Sequence, residues 1–184
     1  MTILVDHQIS AFHACKKIGI EPFDQANIQP NSYDLHLADD YQISVDCGTL
    51  DPYDKVSIRD AFVGQTADQL FLEPGGFILG STVETITLPA DVVGMVEGKS
   101  SLARLGITIH QTGGYIDAGF TGRITLEISN CHPSPVKLTA GMPIAQIVFC
   151  HTQPADKPYS GKYQHQEHAT LSRYHLNGQR RGIE

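Results

Sequence analysis

The run from Gly98 to Asn130, GKSSLARLGITIHQTGGYIDAGFTGRITLEISN, decides how this chain folds. Ile107 and Ile109, then Ile124, Leu126 and Ile128, recur at period two, the spacing of strands with one buried face. Between them stand a Gly-Lys-Ser-Ser turn, Arg104, His110, a Gly-Gly pair, Asp117 and Glu127. Polar groups this dense on a β frame predict a site. Glu127 lies between Leu126 and Ile128, so its side chain should project from the opposite face. If that face is a pocket, Glu127 is suited to proton transfer; if it faces solvent, Glu127 is an ordinary surface residue, and the pattern leaves both open. Asp117, across the turn at Gly119 and Gly122, could share the same pocket.

Gly98-Lys99-Ser100 looks like the end of a phosphate-binding P-loop. That motif needs a glycine at position 93, where Val93 stands, and a long helix afterwards. What survives is weaker: free turn amides, the charge of Lys99 and the hydroxyls of Ser100 and Ser101 could hold an anion.

Outward from this stretch, Asp6 to Ile18 reads as an amphipathic helix with Asp6 as N-cap and Gly19 as its stop. Tyr33, Leu35 and Leu37 mark a half-buried strand, with Asp34 pinning the preceding turn through backbone amides. Residues 46–69 read as a long loop with short strands. Phe77, Leu79, Val83, Ile86 and Leu88 supply core from further short strands, followed by strands at Val136–Leu138 and Ile144–Cys150. The class is all-β, a sandwich or closed barrel with a short N-terminal helix. Residues 1–153 form the body. Residues 154–184 are polar, and read either as a frayed tail or as a flap carrying Tyr159, Lys162, Tyr163 and Gln166.

The bulk numbers narrow the function. The 184 residues suffice for one domain with a real core, and 41% hydrophobic with 18% charged residues is a globular composition. A net charge of -7 argues against a nucleic-acid polymer as partner, though not against a single nucleotide. There is no apolar run of transmembrane length and no secretion signal, so no membrane partner and a cytoplasmic location are expected. Cys15, Cys47, Cys131 and Cys150 form no C-x-x-C pair and are expected to be free, buried thiols. His165 and His168 read as surface histidines. Zinc-dependent base deaminases need a P-C-x-x-C element, which does not occur here, so any deamination should proceed without zinc.

Several motifs in order closely resemble the dCTP deaminase branch of the dUTPase-like superfamily: NIQPNSYDLHL, EPGGFILGSTVETITLPADVVGMVEGKSSLARLG, HQTGGYIDAGFTGRITLEISN, GMPIAQIVF and PYSGKYQHQ. The resemblance implies a distorted dUTPase-like β-barrel (a β-clip) assembled as a homotrimer, with sites shared between chains. It implies zinc-independent deamination of dCTP, with Mg²⁺ carried by the triphosphate and no metal held by the protein. Glu127 would shuttle protons, Ser100 and the Gly113 carbonyl would fix the attacking water, and Arg104 would sit near the base. Asp117 would hold the deoxyribose 3′-hydroxyl, and Lys99 and Ser101 the phosphates. Tyr159, Lys162, Tyr163 and Gln166 would close over the nucleotide. Relatives that only deaminate carry T-A-H-R-I-D; those that also hydrolyse dUTP to dUMP carry T-A-G-aromatic-I-D. Thr112-Gly113-Gly114-Tyr115-Ile116-Asp117 resembles the second, with Tyr115 and Ile116 against the substrate. The alternatives are a deaminase releasing dUTP and a dUTPase alone. His110 and Thr112 match positions implicated in inhibition by dTTP.

Overall fold

The computed structural model describes residues 2–179. In chain order the elements are β1 (Thr2–Ile3), α1 (Asp6–Ala14), β2 (Gly19–Glu21), β3 (Tyr33–Ser44), α2 (Lys55–Asp60), β4 (Phe62–Thr66), β5 (Gln69–Leu72), β6 (Phe77–Thr87), β7 (Val92–Gly98), α3 (Ser100–Ala103), β8 (Ile107–Thr108), β9 (Tyr115–Ile116), β10 (Thr121–Asn130), β11 (Val136–Thr139), β12 (Pro143–His151) and α4 (Leu176–Gln179). Ten strands form one antiparallel sheet in the order β8-β10-β6-β3-β12-β7-β9, with β1, β2 and β4 added at its margins; β5 and β11 pair separately. The sheet curls as a half-barrel, so the fold is a distorted barrel whose edge strands are β8, beside β10, and β9, beside β7.

The core fills the inside of this curl. Tyr33, Leu35, Leu37, Ile78, Ile86, Leu126, Ile128, Ile147 and Phe149 are fully buried, each stabilising the fold by roughly 1.5–3 kcal/mol. Strand β10 alternates strictly, with Ile124, Leu126 and Ile128 inside and Thr125, Glu127 and Ser129 half-buried on the other face, as the sequence period requires.

Register shifts between β3 and β6, and between β6 and β10, break the ladders and bring polar groups inward. At the second shift Thr82 Oγ1 accepts from the Ile124 N–H (2.9 Å) and donates to the Glu84 carbonyl (2.7 Å), replacing ladder bonds. Glu84, only 2% exposed, accepts from the His36 N–H at 2.9 Å and lies 2.6 Å from His36 Nδ1. Here the sequence expectation fails: Val83 is half-buried, and its acidic neighbour is the residue inside.

Other expectations need correction. Helix α1 ends at Ala14, and Val5 rather than Asp6 is its N-cap. Lys16 adopts φ 60°, Lys17 N–H bonds the Phe12 carbonyl at 2.8 Å and Lys16 N–H bonds that of His13 at 2.9 Å. This is a Schellman stop with lysine in the place usually held by glycine, so Gly19 is free to open β2. The loop at 46–69 contains α2, whose N-cap Asp54 accepts from the Val56 N–H at 2.8 Å, and the five-residue strand β4. Strand β6 is a single strand of 11 residues. Asp34 binds side chains instead of backbone amides: its Oδ2 accepts from Lys99 Nζ at 2.6 Å and from Gln29 Nε2 at 3.2 Å. All four cysteines are free, but only Cys150 is buried; Cys15 and Cys131 are exposed. His165 and His168 are exposed.

Candidate active site

The two ends of the curled sheet approach each other, and the C-terminal segment crosses the gap. Beneath it lies a cavity of about 560 Å³. Strand β10 provides one wall through Ile124, Thr125 and Glu127, with Phe77 and Leu79 of β6 beside it. Gly113, Tyr115, Ile116 and Asp117 provide the opposite rim. That rim is fixed because β9 pairs with β7, Tyr115 opposite Met95 and Ile116 opposite Gly94, and because the Gly114 carbonyl accepts from the Val96 N–H at 2.7 Å. Leu50, Pro52, Ile58 and Phe62 close an apolar side, so the segment read from sequence as a long loop with short strands forms a wall of the cavity.

The roof is the C-terminal segment. Tyr159 N–H bonds the Ala118 carbonyl at 2.8 Å, His165 N–H bonds that of Thr121 at 2.7 Å, and the Gln166 carbonyl accepts from Arg123 N–H at 2.9 Å. Gln166 Nε2 adds a bond to the Arg123 carbonyl at 2.7 Å. The two glycines of the 119–122 turn make room for this approach. A Cβ on Gly119 would come within 2.6 Å of Pro158 Cβ, and one on Gly122 within 3.0 Å of the Gln166 backbone. Both glycines also have positive φ, 91° and 152°. Further along, Asp40 Oδ2 accepts from the Ala169 N–H at 2.5 Å and Thr125 Oγ1 accepts from that of Thr170 at 3.1 Å. The tail is thus seated by backbone bonds, which explains how so polar a stretch packs on the barrel.

Of the residues singled out from sequence, Gly113, Tyr115, Ile116, Asp117, Glu127, Tyr159, Tyr163 and Gln166 meet around the cavity. Glu127 is half-buried there, its Oε2 accepting from the Gln111 N–H at 3.2 Å. The others lie elsewhere. Ser100, Ser101 and Arg104 are exposed on and beside α3, and Lys99 is tied to Asp34. Lys162 Nζ donates to Asn177 Oδ1 at 3.2 Å and lies 5.7 Å from the centre of the Tyr174 ring, within the tail itself. Thr112 is exposed; His110 Nε2 lies 4.0 Å from Glu97 Oε2. A His-x-Glu triplet does occur, His165-Gln166-Glu167, but it sits on the tail without cysteines beside it. Among the described residues no group of three or more His, Cys, Asp or Glu is placed to hold a metal ion, and no helix is long and apolar enough to cross a membrane. Sequence reasoning missed Gln111, Thr125 and the 50–62 wall.

The 2′-deoxycytidine 5′-triphosphate deaminase from Agrobacterium tumefaciens superposes with a TM-score of 0.64 and 29% identity over 80% of this chain, the match spanning 46% of that longer chain. Residues 3–152 match the dCTP deaminase-like family model, and the chain belongs to that family. Two curated relatives named "dCTP deaminase, dUMP-forming" align along almost their whole length. The protein of Methanosphaerula palustris is 50% identical over 180 residues, 95% of this chain and 97% of its own. That of Leifsonia xyli is 42% identical over 190 residues, 98% of this chain and 94% of its own.

Proposed function

We propose that this chain deaminates dCTP without zinc and then hydrolyses the triphosphate, releasing ammonia, dUMP and pyrophosphate. The observation that carries the reading is the cavity beneath the tail that Glu127 and Asp117 both line, joined to the T-G-G-Y-I-D sequence and to relatives named as dUMP-forming. Water is a poor nucleophile. Glu127 takes a proton from the water that adds to C4 of cytosine and returns one to the amine, which leaves as ammonia. The apolar wall of Leu50, Ile58 and Phe62 keeps bulk water from the reacting centre. Asp117 holds the deoxyribose 3′-hydroxyl and then positions a second water for attack on the phosphate chain.

The remaining groups, Ser100, Ser101, Arg104 and Lys99, come from a neighbouring copy in a homotrimer. The exposure of Ser100, Ser101 and Arg104 on and beside α3, outside the cavity lining of their own chain, supports this. Mg²⁺ enters with the substrate, held by phosphate oxygens, and neutralises triphosphate charge. Tyr159, Tyr163 and Gln166 cover the nucleotide, Lys162 swings from Asn177 to the phosphates, and residues 154–184 act as lid to the barrel of residues 1–153. The last residues of that segment, 180–184, lie outside the described ones. We also assign dTTP, through His110 and Thr112, as an inhibitor in the same cavity. The deciding experiment incubates the protein with dCTP and Mg²⁺ and separates the products by chromatography. dUMP is expected; accumulation of dUTP would mark a deaminase alone, and unchanged dCTP would overturn the reading.

A further inference from the structure

Glu127 is held by a residue that the mechanism above does not use. Gln111 lies between β8, which pairs with β10 with Thr108 opposite Ser129, and β9; its side chain also reaches β10, where Nε2 donates to Ser129 Oγ at 2.6 Å. Ser129 and Glu127 are two residues apart and therefore on the same face of β10. The same Gln111 donates its backbone N–H to Glu127 Oε2 at 3.2 Å. Two residues on, Gly113 packs against the carboxylate so closely that an added Cβ would come 3.2 Å from Oε1 and 3.4 Å from Oε2. Beyond Gly113 the segment is anchored to β7 by the bond from Val96 N–H to the Gly114 carbonyl.

These contacts have one consequence. The backbone bond to Glu127 is long and, with Gln111 exposed, open to competition from water. The β8–β10 ladder ends at Thr108, and the short side-chain bond to Ser129 carries that hold on to Gln111 so that the longer bond persists. We infer that Gln111, latched to Ser129 where the chain leaves β8, is the positioning residue that fixes the Glu127 carboxylate. The inference rests on the reading of Glu127 as proton shuttle. A carboxylate free to swing would still leave the nucleotide its other contacts, so the loss should fall on the chemical step.

The test uses the full-length enzyme and steady-state turnover of dCTP. In Gln111→Ala and in Ser129→Ala, kcat should fall about tenfold, a fraction of what a 1 Å misplacement can cost, with KM essentially unmoved. The double variant should be no slower than either single one, because both break one latch. Ser129→Thr, which keeps the hydroxyl, should restore turnover, while the near-isosteric Ser129→Val should not; this pair also serves if the alanine variants fold poorly. Equal rates for Thr and Val, a double variant showing the product of both losses, or a loss confined to KM would overturn the latch. Glu127→Gln, run alongside, separates the two levels. If it is inactive while the latch variants are unimpaired, only the latch fails; if it turns over normally, the role of Glu127 fails and takes the latch with it.

Discussion

The polar groups of the 98–130 stretch divide between two unlike supports. Asp117 and Glu127 stand on strands or immediately beside them, backed by ladder bonds, and face a cavity. Ser100, Ser101 and Arg104 stand on or just after a four-residue helical turn, exposed and outside the lining of the chain's own cavity. The first group is preorganised by its own fold; the second is presented outward. A single chain thus gathers one set of polar groups around its cavity and exposes another; under the proposed shared site, the second set would serve a neighbouring copy.

The sharpest way to break this comparison is to remove one group from each side. Glu127→Gln keeps the shape of the side chain but cannot take a proton from water. Deamination should fall on the order of 10²–10⁴-fold, while dCTP binding, followed by isothermal titration, stays near the wild-type value. Near-normal turnover would remove Glu127 from the chemistry. Arg104→Ala should be similarly inactive, and then the two dead variants can be mixed. If sites are shared, equal co-expression should restore about a quarter of wild-type activity, since random assembly gives that share of sites both intact halves. No recovery in mixed oligomers, or an active monomer in solution, would show that each chain works alone.

A smaller effect is expected from the roof. Deleting the chain after Pro154 removes the bonds from Tyr159, His165 and Gln166 to the 118–123 turn, none of which closes the barrel core. The truncated protein should keep its β circular dichroism and lose about 100-fold in kcat/KM, the scale of a lost positioning element. Amides of residues 162–166 should gain protection from hydrogen exchange when a non-hydrolysable dCTP analogue and Mg²⁺ are added. Full activity without the segment would reduce it to a disposable tail.

Where the sequence was legible, one physical condition held: a strand with one face in the core and one face out. Strand β10 obeys it, so both its span and the direction of Glu127 follow from period two. Strand β6 does not. Buried on both faces at its register shifts, it carries Ser81, Thr82 and Glu84 inside, and a pattern that sorts apolar from polar misplaces Val83. The end of α1 was misread because Lys16 adopts a backbone conformation that the sequence rule assigns to glycine. Helix α2 buries essentially Ile58 alone, too little to set a helical period. Gln111 left no trace at all: its partner Ser129 is 18 residues away, and an exposed glutamine in a loop has no pattern to betray it. The motifs that carry the family resemblance named the groups on both supports, but only the folded chain shows that they part.

Two lysines give the finest test of the divided arrangement. Lys99 at the head of α3 bonds a carboxylate of β3 and Lys17 after α1 bonds one in the turn before β7: Lys99 Nζ lies 2.6 Å from Asp34, with side chains 24% and 11% exposed, and Lys17 Nζ lies 2.7 Å from Asp91, with 32% and 21%. The Lys17 hydrogen bond, with help from His151, holds the Asp91 carboxyl below its ordinary value of 3.8. A carboxylate whose folded value is lowered contributes stability that is fully present above its unfolded value and is lost as pH falls through the folded one. Lys17→Met should therefore cost about 0.2–1 kcal/mol at neutral pH, the range for accessible pairs, and that deficit should shrink as the solution is acidified below pH 3.8. Its kinetics toward dCTP should not change, since Lys17 and Asp91 lie outside the cavity. Lys99→Met removes a more buried contact and should cost more stability than Lys17→Met. If Lys99 also meets the phosphates of a nucleotide held by the neighbouring copy, it should raise KM as well, and Lys99→Arg should recover much of that loss because the charge and the reach to Asp34 remain. Urea titrations at two pH values, paired with KM for dCTP, decide the matter. If both methionine variants change only stability, Lys99 is a brace for the α3 turn and the phosphate role passes to Ser100, Ser101 and Arg104.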